Sequence, residues 1–249
     1  MNQALDFSGQ RVLVVGGSSG IGNGVAQAFR GQGAEVHVWG TRASAADYAG
    51  VAGSDLRGLH YAGVEVADAG QVDAAPQPGG DGARLDVLVL CQGTVVYQRG
   101  EFERERWQRV MAVNLDSLMH CCRRLRPALQ GGGRIVIVSS IAGLGANIGN
   151  PAYAASKAGA ISLTRTLGVA WAPEGIRVNG LAPGLVDTKL TEVTTRHPKR
   201  LQGALAAIPA GRLGTPEDMA GVVLFLASPL AAYLAGQTIA CDGGLSLAR

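Results

Sequence analysis

The chain has 249 residues, 47% hydrophobic and 16% charged, which suits one α/β domain and excludes a disordered or solvating chain. A net charge of +3 and an aromatic content of 5% are too small to argue for a nucleic-acid-binding surface. No apolar run reaches the ~18 residues that span a bilayer, no signal peptide is expected, and Cys91, Cys121, Cys122 and Cys241 lack both CxxC spacing and disulfide density, so a cytoplasmic location is expected.

Arg11–Gly16 reads as a buried strand that runs into Gly16-Gly17-Ser18-Ser19-Gly20-Ile21-Gly22, and Ile21–Arg30 as the helix that follows. Glu35–Trp39 is a second strand, ending in Gly40-Thr41-Arg42, and Tyr61–Val66 a weaker third. Pro76, Pro78, Gly79, Gly80 and Gly82 crowd the place of the next crossover helix, so a short helix followed by a loop is expected there. Asp86–Cys91 is a fourth strand. Arg104–Leu129 reads as one long helix, with Arg123, Arg124 and Arg126 as its solvated end near Pro127. Arg134–Ser139 is a fifth strand, Tyr153–Trp171 a helix, Ile176–Asn179 a sixth strand, Pro216–Ala227 a helix and Gln237–Ala240 a seventh strand. This alternation predicts a single α/β domain over residues 1–249: a doubly wound parallel sheet of about seven strands with helices on both faces. His37, His60, His120 and His197 show neither HExxH nor paired spacing, so no metal site is expected.

Glycines at 16, 20 and 22 permit a tight turn and close backbone approach, and a helix N-terminus after such a turn offers free N–H groups to a pyrophosphate. The spacing differs from G-x-G-x-x-G, and a plain tight turn is an even alternative. No Lys-Ser/Thr follows, which excludes a P-loop.

Lysine occurs only at 157, 189 and 199, and Lys157 stands one helical turn after Tyr153. Residues i and i+4 share a helix face, so phenol and ammonium can enter one cleft. Ser140 lies at the end of the fifth strand, where open α/β sheets bind ligands. Singly, Ser140 reads as a loop cap, Tyr153 as packing and Lys157 as a solvated helix residue. Jointly they read as a site.

On these residues the chain resembles the short-chain dehydrogenase/reductase family over essentially its full length. The resemblance rests on Gly16–Gly22, Val113-Asn114-Leu115, Ser140, Tyr153-x3-Lys157, Pro183-Gly184-Leu185-Val186-Asp187-Thr188, Gly236-Gln237-Thr238 and Asp242-Gly243-Gly244. Gly211–Asp218 is similar to the branch holding 3-oxoacyl-carrier-protein reductases and many ketone and polyol dehydrogenases. It implies a Rossmann fold and hydride transfer between a nicotinamide cofactor and a secondary alcohol or ketone. Tyr153 is then the acid/base, Lys157 the cation that lowers its pKa, Ser140 the donor to the carbonyl oxygen and Asn114 the anchor of a relay water. The cofactor is expected against Gly16, Ser18, Ser19, Gly20, Ile21, Gly22, Thr41, Arg42, Glu65, Val66, Gly93, Tyr153, Lys157, Pro183, Gly184, Val186 and Thr188. A homotetramer and a substrate lid over about 187–210 are also implied.

Val15 stands where the family usually has threonine, and Leu90-Cys91-Gln92-Gly93 replaces Asn-Asn-Ala-Gly. Gly40-Thr41-Arg42 carries no carboxylate to hold a ribose 2′-OH, and Arg42 can pair with a 2′-phosphate, which favours NADP(H) over NAD(H). Ser19, where many NADP-using relatives are basic, argues the other way. Val169 and Glu174 occupy positions where carrier-protein enzymes use arginine, so a small carbonyl, polyol or sugar-like substrate is favoured. The alternatives are a 3-oxoacyl-carrier-protein reductase and a catalytically silent nucleotide-binding protein of the same fold.

Overall fold

The computed structural model describes residues 2–248. Seven parallel strands form one sheet: β1 (Arg11–Val15), β2 (Glu35–Gly40), β3 (His60–Gly63), β4 (Val87–Leu90), β5 (Arg134–Val138), β6 (Arg177–Pro183) and β7 (Thr238–Cys241), in the order β3-β2-β1-β4-β5-β6-β7. The order reverses between β1 and β4, which opens a crevice at the carboxyl ends of those strands.

Alternate residues of the central strands point to opposite faces and build two cores. Leu13, Val15, Leu88, Leu90, Ile135 and Ile137 pack on one face with Leu118, Leu125 and Leu129 of α4 (Ser117–Leu129). Val12, Val14, Val36, Val38, Val87, Val89 and Val136 pack on the other with α1 (Gly20–Gly31) and α8 (Pro216–Ala227). Strands buried on both faces read as unbroken apolar runs, which is why β1, β4 and β5 stand out in the sequence.

Three elements depart from the sequence reading. The long helix expected over Arg104–Leu129 is two helices, α3 (Arg104–Met111) and α4, joined by a π-helical turn at Ala112–Asp116. Strand β6 runs on to Pro183, because Gly180–Pro183 pair with Thr238–Cys241. The Arg123, Arg124 and Arg126 cluster is not a free solvated end. Arg123 donates to Asp73 Oδ1 (2.6 Å) and Arg124 to Asp73 O (3.1 Å), tying α4 to α2 (Ala69–Ala74). Arg126 forms a two-pronged ion pair with Glu174 beside the Trp171 ring.

The expected short crossover helix is present: α2 has six residues, is capped by Asp68 and stops before Pro76. Beyond β6 lie α6 (Glu192–Thr195) and α7 (Pro198–Ala207), within the span expected as a lid. No helix among the described residues is long and apolar enough to cross a membrane.

Candidate active site

The crevice at the strand ends is a cleft of ≈1160 Å³. Ligand pockets commonly measure ~300–1,000 Å³, so this one has room for a dinucleotide together with a small substrate. Every residue expected to touch the cofactor lines it, with one exception, Arg42.

Sterics explain the glycine turn between β1 and α1. Gly16 has φ +76°, and a Cβ there would stand 2.7 Å from Gln92 N; a Cβ on Gly22 would stand 2.2 Å from Gly16 O. Only glycine lets the turn press against β4 and the helix start directly behind it. Gly20 N–H donates to Gly53 O at 2.9 Å and the Ser18 hydroxyl bonds the Tyr48 phenol, so the anion-facing donors of α1 are the following amides together with the Ser19 hydroxyl. The Ser19 side chain does not cap α1 and is available to a ligand. These groups fit a pyrophosphate.

Arg42 does not line the cleft in this structure. Its guanidinium stacks 4.6 Å from the Tyr48 ring centroid and donates to Asp47 O, which holds it outside the cleft wall. Thr41 does line the cleft, and Glu65 lies opposite with its carboxylate 3.2 Å from Arg109 Nη2.

The catalytic candidates converge from two elements. Ser140 leaves the end of β5 and caps a short 3-10 turn, its Oγ accepting from Ala142 N at 3.1 Å. Tyr153 and Lys157 lie on one face of α5 (Pro151–Ala170). The turn holding Ser140 packs closely on that helix, since a Cβ on Gly143 would stand 2.6 Å from the Lys157 carbonyl carbon. Lys157 Nζ donates to Val138 O at 3.1 Å and lies 5.7 Å from the Tyr153 ring centroid. Lys157 is only 4% exposed, and burial lowers its pKa to about 8.

The phenol is shaped by its neighbours. Burial pushes its pKa up, and the hydrogen bond from Ser140 pulls the other way, while Tyr97, Cys91 and Glu101 add to the rise. The hydrogen bond from Ser140 favours phenolate.

Asn114 is held by three side-chain hydrogen bonds. Its Oδ1 accepts from Thr94 N (2.7 Å), and its Nδ2 donates to Thr94 O (2.9 Å) and to Ser156 Oγ (3.2 Å). The side chain is buried, and its carboxamide holds the loop after β4 in place. Ser156 Oγ donates in turn to Tyr153 O at 2.8 Å, which links this loop to the catalytic helix. The π-helical turn carries Asn114, in keeping with the frequent use of such turns at functional sites.

Sequence reasoning missed Glu101. Its carboxylate is fully buried and accepts from Tyr153 N (2.9 Å), Val96 N (3.0 Å) and Asn150 Nδ2 (3.4 Å). A negative charge at the first turn of a helix is favourable, and here it fixes the start of α5 under the tyrosine. Nothing local marks Glu101 in the sequence, where it reads as one more charge in an Arg/Glu-rich stretch. Cys91, also in the cleft wall, is held at about 12 by burial and is an unreactive thiol.

Residues 15–246 match a family model described as enoyl-(acyl carrier protein) reductase. The chain is 37% identical over 246 residues to the 3-oxoacyl-[acyl-carrier-protein] reductase FabG of Chlamydia pneumoniae, covering 96% of this chain and 97% of the relative. The chain belongs to the short-chain dehydrogenase/reductase family. Within it, identity to the galactitol 2-dehydrogenase (L-tagatose-forming) of Cereibacter sphaeroides is 35% over 248 residues, with 97% and 96% of the two chains covered. The solved structure of the Pseudomonas aeruginosa RhlG/NADP active-site complex superposes with a TM-score of 0.89 at 31% identity, covering 99% of this chain and 100% of that one. This short-chain dehydrogenase/reductase is a nicotinamide-dependent oxidoreductase acting on secondary alcohols and ketones.

Burying Lys157 has a consequence for stability. With a pKa of about 8 in the fold and ~10.4 unfolded, the native state holds its proton less tightly. The penalty is full below pH 8, on the order of 3 kcal/mol, and is relieved as pH climbs toward ~10.4. Lys157→Met is therefore expected to be more stable than the parent at neutral pH, with the gap closing through that window. Denaturant unfolding at several pH values checks this; equal stability throughout contradicts it.

Proposed function

We propose that this chain interconverts a small secondary alcohol or polyol and its ketone, with Tyr153, Ser140 and Lys157 doing the proton chemistry. The observation that carries the reading is the meeting of these three side chains in the same cleft as the glycine turn. When bound there, a nicotinamide dinucleotide supplies or accepts the hydride. Ser140 donates to the substrate oxygen. Tyr153 gives that oxygen its proton in reduction and removes it in oxidation. Its raised pKa keeps the phenol protonated at neutral pH, the form that ketone reduction needs. Lys157, fixed by Val138 O, orients the cofactor ribose and keeps a positive charge near the phenol. Asn114 and Glu101 hold the loop and helix that frame the site.

NADP(H) is the proposed cofactor. The end of β2 offers no carboxylate to a ribose hydroxyl, and Arg42 stands next to cleft-lining Thr41, within a side-chain rotation of a 2′-phosphate. The RhlG structure with bound NADP supports the same choice. Segment 187–210 is the proposed lid: Lys189, Leu190, Thr191 and Glu192 line the cleft mouth, and Tyr97 Oη donates to Leu190 O at 2.6 Å.

A free substrate is favoured over one carried on an acidic protein. Val169 is 74% exposed, and Glu174 is neutralised by Arg126, so this end of α5 offers little attraction to an acidic partner. The identity to FabG supports a second reading, 3-oxoacyl-carrier-protein reduction. Exposed Phe102, Trp107 and Met119 around α3 and α4 support assembly as a homotetramer.

Tyr153→Phe is expected to lower kcat by ~10²–10⁴ while leaving dinucleotide binding intact, read by cofactor fluorescence and by turnover of a ketone and polyol panel. Turnover retained in this variant contradicts the acid/base role. The kcat/KM ratio of NADPH to NADH is expected to exceed one and to fall about tenfold or more in Arg42→Ala. A parent enzyme that prefers NADH contradicts the cofactor assignment.

A further inference from the structure

The end of the sheet away from the cleft holds a side-chain cluster that the oxidoreductase chemistry does not use. Glu35, His37 and Trp39 alternate with Val36 and Val38 along β2 and so share one face. Trp39 is buried in the core on that face, beside Val72 and Ala75. Toward the start of the strand the cover stops, because α2 ends at Ala74 and the chain turns at Pro76 and Pro78. The truncated crossover leaves Glu35 and His37 facing outward. Strand register then does what linear spacing cannot: in the parallel β2–β3 pair, His37 stands directly opposite His60. The two imidazole rings stack with centroids 4.5 Å apart and planes at 22°. His37 Nε2 lies 2.7 Å from Glu35 Oε1, and one donor atom from each of the three residues falls within 4.8 Å of the others.

We propose that Glu35, His37 and His60 form a binding site for one divalent transition cation of the zinc type. Two imidazoles and a carboxylate are a common donor set for Zn²⁺ and its borderline neighbours, whereas Mg²⁺ and Ca²⁺ prefer oxygen ligands alone. Bonds of ~2.0–2.1 Å in a tetrahedron separate donors by about 3.3 Å. Reaching that spacing takes side-chain rotations at Glu35 and His60, both exposed, with water as the fourth ligand. The carboxylate is already held from its far side. Arg11 Nε lies 3.3 Å from Glu35 Oε2, and Arg11 Nη1 donates to Arg84 O at 2.9 Å. Arg11 passes against Gly79, where a Cβ would stand 2.4 Å from its Cζ, so the proline- and glycine-rich loop that shortens the crossover also secures this arginine. Oε1 is left directed at the imidazoles. The opposing influence is the charge of Arg11 itself, which lowers the affinity of the site for any cation without occupying the donor atoms.

The site lies at the amino end of β2, and the cleft begins at Gly40, the carboxyl end of the same strand. At ~3.3 Å per residue its ligands on β2 lie about 10–17 Å from that end, so the cation takes no part in hydride or proton transfer. Its effect is to cross-link the four-residue edge strand β3 to β2.

Untagged full-length protein, stripped with a chelator, is titrated calorimetrically with ZnCl₂ near neutral pH. One saturable Zn²⁺ per chain is expected, with a rise in Tm and no comparable binding of Mg²⁺. Loss of partners one shell further out already weakens metal sites ~10–100-fold, so His37→Ala and His60→Ala should each weaken binding by at least about tenfold. Glu35→Gln, which keeps shape and removes charge, should weaken it too. His197→Ala should not. All the variants should keep the parent's metal-free Tm and its ketone reductase turnover. Absence of saturable one-to-one binding overturns the proposal. So does binding that survives unchanged in both histidine variants.

Discussion

An ammonium held out of water at the end of β5 is the constraint around which this site is built. Lys157 is nearly inaccessible, and its direct acceptor among the described residues is the Val138 carbonyl, a neutral group. A buried cation with one neutral partner lowers stability, which is why its pKa falls to about 8. The fold keeps it there by close packing. Gly143 lets the turn after β5 touch α5 at Lys157 itself, and Gly93 leaves room beside Nζ, where a Cβ would stand 3.4 Å away. Stability is lowered at the place where a bound dinucleotide and substrate would restore polar partners, a common arrangement at functional sites.

The same cleft sets the protonation balance of Tyr153. A simple pairing argument from the sequence gives the lysine the task of acidifying the tyrosine. In the folded chain burial raises the phenol pKa, and the Ser140 hydrogen bond opposes it. Glu101 adds a fixed negative charge beneath the first turn of α5. That charge holds the backbone of Tyr153 in place while disfavouring phenolate. Positioning and acidity are separate tasks here, carried by different residues.

The sequence made the sheet legible because β1, β4 and β5 are buried on both faces and leave unbroken apolar runs. The site was legible where chemistry depends on local spacing: Gly16 to Gly22 on one turn, and Tyr153 with Lys157 on one helix face. It was illegible where function depends on residues far apart in the chain. Glu101 meets Tyr153 only through tertiary packing, and His37 meets His60 only through strand register. The local contacts of Arg42 with the Tyr48 ring and Asp47 O were not legible in the sequence. Asn114 was recognised by its motif, but its carboxamide is taken up by the Thr94 backbone, which no linear pattern records.

The burial of Lys157 can be read directly. Lysine occurs at only two other positions, 189 and 199, so side-chain amine signals of lysine-labelled protein are few enough to follow individually by NMR across pH. The account predicts one amine that titrates near 8 and is missing from Lys157→Met. Lysines that all titrate together near ~10.4 would contradict it.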